Sequence, residues 1–250
     1  VTQINCSDEL LLNWNFYDNW TAGVFEYEIW VDRNFAGSAP VDDVTNTSNS
    51  YSLTGINDGD NVCITVQAKR ADGTAVAVSN EVCLLVNIVQ AADYTVIRNV
   101  TVNGPAQIGV EWYPDTNADL EKVSIQRSSD NIEYVNLTTY PIGLPIPVVD
   151  SYNDNSIATN AISFYYRIIT IDSCDNQDTS GYAKSIVLKG NDNANFTNTI
   201  SWTGFEIQDG IVQEYRIYRD DGAGLVLINT VGAAIQTYTD DVAMFVNVID

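Results

Sequence analysis

A two-residue alternation of apolar and polar side chains governs the segment 10–31. It predicts two β-strands separated by a loop rich in Asp, Asn, Thr and Gly, because successive side chains of a strand point to opposite faces. The apolar set of the first strand is Leu10, Leu12, Trp14 and Phe16. The apolar set of the second strand is Phe25, Tyr27, Ile29 and Val31. Each strand is therefore expected to bury one face and to expose the other to water.

The same pattern recurs along the chain, which indicates an internal repeat. Trp14, Trp112 and Trp202 stand in similar strand-like segments, and they lie roughly 90 to 100 residues apart. Tyr27 and Tyr215 follow the first and the third of these tryptophans at the same distance. A repeat of this length predicts three copies of one folding unit, each with its tryptophan in the core.

Residue usage and turn signals indicate that each copy is an all-β unit. Aromatic and β-branched residues are frequent, turn signals such as Ala71-Asp72-Gly73 recur, and no stretch has the apolar period of a helix. The predicted fold class is all-β, with tandem immunoglobulin-like β-sandwiches. The predicted domains are 1–89, 90–189 and 190–250. The third is predicted to be incomplete, because its sequence has no counterparts of the last two strands.

Several motifs resemble those of fibronectin type III domains. They are a Trp in the second strand, Tyr-x-Ile in the third, S-Y-x-L-x-x-I before a Gly corner, V-x-I-x-V-x-A and a closing S-N-E-V. The resemblance covers two complete units and one incomplete unit, and it implies the fold without implying a ligand. One departure is Val62, at a position where these domains usually carry a tyrosine. The hydrogen bond of that tyrosine is therefore expected to be missing from the first unit.

A narrower resemblance concerns the biological setting. The segments WNFYDNWTAGVFEYEIWVD, YYRIITIDSCDN and EYRIYRDDG are similar to tandem units that precede the C-terminal sorting region of surface proteins from gliding bacteria of the Bacteroidetes type. That resemblance implies an extracellular protein on the cell surface of a Gram-negative bacterium. It further implies export by the type IX secretion system and a role in adhesion or gliding motility. The implied partners are neighbouring domains of the same longer protein and the secretion or motility machinery.

The charge balance excludes two classes of partner. The chain has 33 acidic and 11 basic residues, and its net charge is −22. Such a chain repels nucleic-acid phosphates and anionic membrane surfaces. No segment approaches the ~20 apolar residues that span a bilayer, so direct membrane insertion is not expected. Solubility explains the acidity, and divalent-cation binding in acidic loops is the alternative.

The residue inventory argues against an enzyme. The chain has no histidine, which removes the usual forms of Ser-His-Asp and Cys-His catalysis and His-ligated zinc. The cysteines lack CxxC spacing, and no glycine-rich phosphate-binding motif occurs. Glycoside hydrolysis would need two opposed carboxylates in a cleft, and the carboxylates here fall mainly on turns and outward strand positions. We therefore expect a non-enzymatic spacer or interaction region without a cofactor.

Two of the four cysteines are predicted to form a disulfide. Cys63 and Cys83 are equally distant from the turn at 71–74, so a regular hairpin places them opposite each other on adjacent strands, near disulfide range. A disulfide indicates an oxidising compartment. Cys6 and Cys174 have no partner at matching positions of the repeat. They either bridge to other units of the longer protein or remain free thiols.

Calcium is the ion for which the sequence offers ligands. Side chains with hard oxygens cluster on predicted loops at Asp58-Gly59-Asp60, Asp150–Asp154, Asp172 with Asp175, and Asn191-Asp192-Asn193. None of these clusters has the EF-hand spacing. Asp192 and Asn193 form the preferred calcium site, because an ion in the predicted domain junction would stiffen it.

Trp20 and Trp30 are the aromatic residues outside the repeated core pattern. Trp20 lies in a predicted loop, and Trp30 lies on the strand face opposite Tyr27 and Ile29. Together they form a candidate aromatic surface, either for packing against a neighbouring domain or for binding sugars such as surface glycans. If these residues bind sugars, the alternative to the spacer function is a carbohydrate-binding accessory region of a secreted enzyme.

Overall fold

The computed structural model describes residues 1–155 and 157–243, and its regular elements are β-strands. By its internal contacts the chain divides into two compact units, Val1–Val89 and Gln90–Asp250. The division of the sequence into three domains is finer than this, and it stays a prediction. Among the described residues there is no helix with the length and apolar character that crossing a membrane requires.

The first unit is built from two antiparallel sheets. Its strands are β1 (Thr2–Gln3), β2 (Leu10–Asn13), β3 (Val24–Arg33), β4 (Ala39–Thr45), β5 (Ser50–Leu53), β6 (Asn61–Arg70), β7 (Val76–Val78) and β8 (Val82–Leu85). One sheet has the order β1-β2-β5. The other has the order β4-β3-β6-β7, and β8 also pairs with β6. This division into a three-stranded and a larger sheet is that of a fibronectin type III sandwich.

The core of the first unit lies between these two sheets. Leu10 and Leu12 from β2 and Leu53 from β5 pack in one buried cluster with residues of the opposite sheet, among them Ile29 and Ile64. Inward and outward positions alternate along β3 because one sheet face meets the other sheet and the opposite face meets water.

The second unit begins with a sandwich of the same kind. Its strands are β9 (Thr95–Gly104), β10 (Gln107–Pro114), β11 (Leu120–Ser128), β12 (Val135–Pro141), β13 (Asp150–Asp154), β14 (Tyr165–Asp172), β15 (Gln177–Thr179) and β16 (Ala183–Lys184). The sheet β13-β10-β9 packs against the sheet β12-β11-β14-β15, and β16 also pairs with β14. Trp112 and Tyr166 are fully buried between the sheets.

A third, partial sandwich follows in the same unit. The strands β17 (Leu188–Asn193), β18 (Thr197–Trp202) and β21 (Thr237–Asp241) form one sheet, and β19 (Glu214–Asp220) and β20 (Leu225–Gly232) form a hairpin. Within residues 188–243, β19 pairs only with β20, whereas β3 and β11 each pair with a strand on both sides. The predicted fold class is therefore confirmed: the chain consists of tandem fibronectin type III-like sandwiches, and the third is incomplete over its described residues.

The predicted inward pattern is wrong at two aromatic residues. Phe16 is 49% exposed, because β2 ends at Asn13 and leaves it in the following loop. Phe25 belongs to β3 and is 62% exposed. The register between β3 and β6 shifts between Val24 and Glu26, at the position of Phe25. A bulge of this kind leaves one residue without a ladder partner and re-aims its side chain.

Candidate functional site

Four aromatic rings line an open pocket at one end of the first sandwich. They belong to Phe16, Tyr17, Phe25 and Tyr27, and the pocket has a volume of about 530 Å³. Tyr27 is buried, and its ring centroid lies 6.3 Å from that of Phe16. The backbone N–H of Tyr17 donates a hydrogen bond of 2.8 Å to the Tyr27 hydroxyl. This bond ties the loop after β2 to the start of β3, and it holds the pocket-lining rings together.

The lining of this aromatic pocket carries no charged side chain. Besides the four rings it consists of Ala22, Gly23, Val24, Asn46 and Ala71. The Asn46 side chain donates a hydrogen bond of 2.8 Å from Nδ2 to the Val24 carbonyl, so this amide is held at the pocket. An uncharged aromatic surface is a notable local departure in a chain with a net charge of −22.

Trp20 supports the aromatic pocket without lining it. It lies in the loop between β2 and β3, and its ring centroid is 4.5 Å from that of Tyr17, with an interplanar angle of 56°. Aromatic pairs at such distances favour tilted arrangements. Trp20 therefore fixes the position of a ring that does line the pocket.

Trp30 lies elsewhere on the first sandwich. Its indole Nε1 donates a hydrogen bond of 2.8 Å to Glu28 Oε2, and this bond is the main reason that the pKa of Glu28 lies below its ordinary value. Along the strand, Trp30 is roughly 20 Å from Val24, where β3 begins beside the pocket. The structure therefore does not bring Trp20 and Trp30 together in one aromatic surface. Sequence reasoning missed Phe16 and Phe25 because their alternation assigned both to the core.

The disulfide of the first unit connects neighbouring strands. Cys63 of β6 and Cys83 of β8 are directly opposed in the antiparallel register, and their sulfurs are bonded. Cys6 and Cys174 are also disulfide-bonded, and no cysteine of the described chain is free. The alternative that Cys6 and Cys174 are free thiols is therefore wrong.

The two residues preferred for a calcium site, which the sequence placed on a loop, lie in a strand. Asp192 and Asn193 belong to β17, where they pair with Asn198 and Thr197 of β18. The Asn193 amide donates hydrogen bonds to Thr197 Oγ1 at 3.0 Å and Thr199 Oγ1 at 2.8 Å. These bonds hold the Asn193 amide in place, and calcium binding here stays a prediction.

The acidic corner at Asp58 and Asp60 is held by hydrogen bonds. Asp58 Oδ1 accepts one from the backbone N–H of Ile88 at 2.8 Å. Asp60 accepts one from Asn34 Nδ2 at 2.8 Å and one from the backbone N–H of Asn57 at 2.9 Å. The bond from Asn34, followed by that from Asn57, lowers the pKa of Asp60 below its ordinary value. The oxygens of this corner therefore stabilise a turn.

Asn34→Gly is expected to raise the pKa of Asp60 toward its ordinary value. Asn34 has a φ of 55°, which glycine adopts without strain, so the substitution removes the amide donor and preserves the backbone. Because the folded-state pKa of Asp60 is lowered, its contribution to stability is present above the unfolded-state pKa and is lost as the pH falls through the folded value. NMR titration of the Asp60 carboxyl carbon measures the change. The control is Asn131→Gly, at another positive-φ asparagine, and an unchanged Asp60 pKa in Asn34→Gly would contradict the assignment.

An ion pair between Arg127 and the buried Asp154 lies within the second sandwich. Arg127 Nη1 lies 2.6 Å from Asp154 Oδ2, and Asp154 is 1% exposed. The hydroxyl of the fully buried Tyr166 donates a hydrogen bond of 2.9 Å to the same oxygen. Burial, and then the nearby Asp154 carboxylate, raise the pKa of Tyr166 far above its ordinary value. Asp154, one of the acids considered for calcium, thus has a structural role.

The junction between the second and third sandwiches is made by direct backbone pairing. The Lys184 N–H donates to the Glu206 carbonyl at 2.8 Å, and the Gln208 N–H donates to the Tyr182 carbonyl at 2.9 Å. These bonds flank an antiparallel bridge between Ala183 and Ile207.

Side chains reinforce this junction. Phe205 and Ile207, which precede β19, pack against the core of the second sandwich. Lys184 Nζ lies 2.5 Å from Glu206 Oε1 and 5.1 Å from the centre of the Tyr165 ring. The segment 205–208 of the third sandwich therefore extends the edge of the second sandwich at β16. Phe205 and Ile207 alternate with Glu206 and Gln208, but the sequence analysis assigned this short segment no role.

Comparisons with known proteins identify no family for the chain. No family model matches it, and no curated protein matches it. Among solved structures, it is similar to the crystal structure of the chicken CNTN1 FN1-FN3 domains, with 11% sequence identity and a TM-score of 0.33 over 96% of this chain and 86% of that chain. A likeness this weak carries no argument about ligand or arrangement, and the fold assignment rests on the sheets of the chain itself.

Proposed function

We propose that this chain is a non-enzymatic spacer and interaction region of a secreted bacterial surface protein, in which the second and third sandwiches form one stiff segment. The observation that carries the proposal is the junction at Ala183 and Ile207. A flexible linker would leave the domains free to reorient, whereas backbone pairing and a shared apolar contact hold two domains in one orientation. Such a segment keeps the regions on either side of it at a fixed separation.

In this proposal the protein acts outside the cell. Disulfides persist in oxidising compartments, and the bonded cysteines of this chain suit such a compartment. Several motifs resemble tandem units of gliding-bacterium surface proteins, which supports a role in adhesion or motility and export by the type IX secretion system. The partners in this proposal are the neighbouring domains of a longer protein and the secretion or motility machinery.

A distance measurement across the junction tests the spacer role. Encoded spin-label amino acids at the exposed positions Glu133 and Asp221 report the separation of the second and third sandwiches by pulsed dipolar spectroscopy. We expect a single narrow distance distribution. The combined change Phe205→Ala and Ile207→Ala should broaden it, because both side chains contact the core of the second sandwich.

The control for this measurement is Ile211→Ala. Ile211 lies in the same loop and is 85% exposed, so its truncation should leave the distribution unchanged. A broad distribution in the unmodified chain, or one that the double substitution does not alter, would contradict the stiff spacer.

A further inference from the structure

We propose that the aromatic pocket of Phe16, Tyr17, Phe25 and Tyr27 binds a neutral sugar ring of a glycan. This site goes beyond the spacer role and does not depend on it, because all of its residues belong to the first sandwich, whereas the junction lies in the second unit.

Two exposed rings distinguish this surface from the core. Phe16 and Phe25 are 49% and 62% exposed, although both continue the apolar alternation of their segments. Isolated exposed apolar side chains are common on proteins, but here both exposed rings border one concave surface. Ligand sites typically combine such an apolar concavity with a few fixed polar groups.

The backbone presents these rings by two different devices. Phe16 follows the end of β2, so the facing sheet no longer covers it. Phe25 stands at the register shift between β3 and β6. Bulges occur often beside functional sites because they re-aim a side chain from the regular ladder. The two residues at which the predicted alternation fails, Phe16 and Phe25, therefore border the same pocket.

The chemistry of the lining selects the class of ligand. An aromatic face carries partial negative charge, which attracts the C–H groups on the apolar side of a pyranose ring. The Asn46 amide, oriented by its hydrogen bond to the Val24 carbonyl, supplies a polar group for hydroxyls at the pocket. An anionic sugar would find no cationic side chain in the lining, and the net charge of −22 would repel it. The fit is therefore to a neutral sugar in its pyranose form.

Trp20 is a positioning residue for this site. It packs on Tyr17 at 4.5 Å, and Tyr17 in turn donates its backbone N–H to the Tyr27 hydroxyl. The loss of Trp20 loosens the loop that carries two of the rings, without removing a ring from the pocket. Its substitution should weaken binding less than the removal of Phe25.

The test uses the full chain and defined oligosaccharides. Binding of cellotetraose, mannotetraose, xylotetraose and fully N-acetylated chitotetraose is measured by glycan array and then by calorimetry, with a sulfated and a uronic-acid oligosaccharide and a proline-rich peptide beside them. We expect saturable binding of at least one neutral sugar, with an affinity reduced at least tenfold by Phe25→Ala and largely kept by Phe25→Trp. Trp20→Ala should cause a smaller reduction.

Phe35→Ala is the matched control. Phe35 is 77% exposed and lies in the turn between β3 and β4, beyond the end of β3 opposite the pocket. Its removal should leave the affinity unchanged, and circular dichroism verifies that each variant is folded. The proposal is overturned if no neutral oligosaccharide binds, if the anionic sugars or the peptide bind in preference, or if Phe25→Ala and Phe35→Ala have equal effects.

Discussion

Asp154→Ala is expected to lower the free energy of unfolding of the second sandwich by about 3–5 kcal/mol. Asp154 is 1% exposed, and one of its oxygens receives both Arg127 at 2.6 Å and the Tyr166 hydroxyl at 2.9 Å. The substitution removes the carboxylate that binds Arg127, whose side chain is only 22% exposed, and the loss of one partner of a buried ion pair is strongly destabilising. In this case the Tyr166 hydroxyl also loses its acceptor within the core, which adds the cost of an unsatisfied buried donor.

Hydrogen exchange resolved by residue is the suitable measurement. Unfolding of a chain with several sandwiches is not a two-state transition, whereas exchange of amides in β11 and β14 reports the stability of this sandwich locally. Asp154→Asn should cost less than Asp154→Ala, because the amide oxygen still accepts from Tyr166. The control is Glu133→Ala, at an exposed carboxylate on the same sandwich, with an effect of about 0.5 kcal/mol or less. An equally small effect of Asp154→Ala would refute the structural role of the pair.

The fold was predictable because its main signal is local and repeated. Alternation at Leu10 and Leu12 and the recurrence of the core tryptophans follow from the geometry of a half-buried strand, which needs no knowledge of the partner strand. Phe16 and Phe25 broke this rule for a non-local reason. The end of β2 and the bulge against β6 depend on how the sheets pair, and alternation alone does not contain that information.

The buried polar contacts and the junction could not be predicted from the sequence, for a related reason. Arg127 and Asp154 meet through the fold, and nothing in either local sequence separates Asp154 from the other acids of its segment. Ile207 lies in a loop before β19, and only its bridge to Ala183 reveals that it extends the edge of another sandwich. Such pairings join residues from different elements, whereas composition and periodicity describe one element at a time.

The disulfide of the first unit shows where a long-range contact does follow from sequence. Cys63 and Cys83 flank a turn almost symmetrically, and they face each other in the ladder of β6 and β8. The turn alone does not set this register, because continuing the β6–β7 pairing of Lys69 with Val76 would place Cys63 opposite Val82. The interruption between β7 and β8 shifts the pairing by one residue and brings Cys83 opposite Cys63. Cys6 and Cys174 flank no common turn, and their bonded state could not be inferred in the same way.

The double substitution Cys63→Ala and Cys83→Ala is expected to destabilise the first sandwich by about 3 kcal/mol. The cross-link spans a sequence separation of 20 residues, and its removal restores the freedom of that loop in the unfolded chain. Because the double variant leaves Cys6 and Cys174 in place, it isolates this bond, whereas a reducing agent would attack every disulfide of the chain.

Exchange of the β3 and β6 amides measures the effect of this substitution. Those amides should exchange roughly a hundredfold faster where exchange reports global opening, since each 1.4 kcal/mol corresponds to about a factor of ten. Leu85→Ala is the control, because Leu85 lies on the same strand as Cys83 and is 68% exposed. If the β6 amides are equally protected from exchange in the double variant and in Leu85→Ala, the hydrogen bonds between β6 and β8 alone hold the edge of the sheet. The cross-link then adds nothing to the stability of the sandwich.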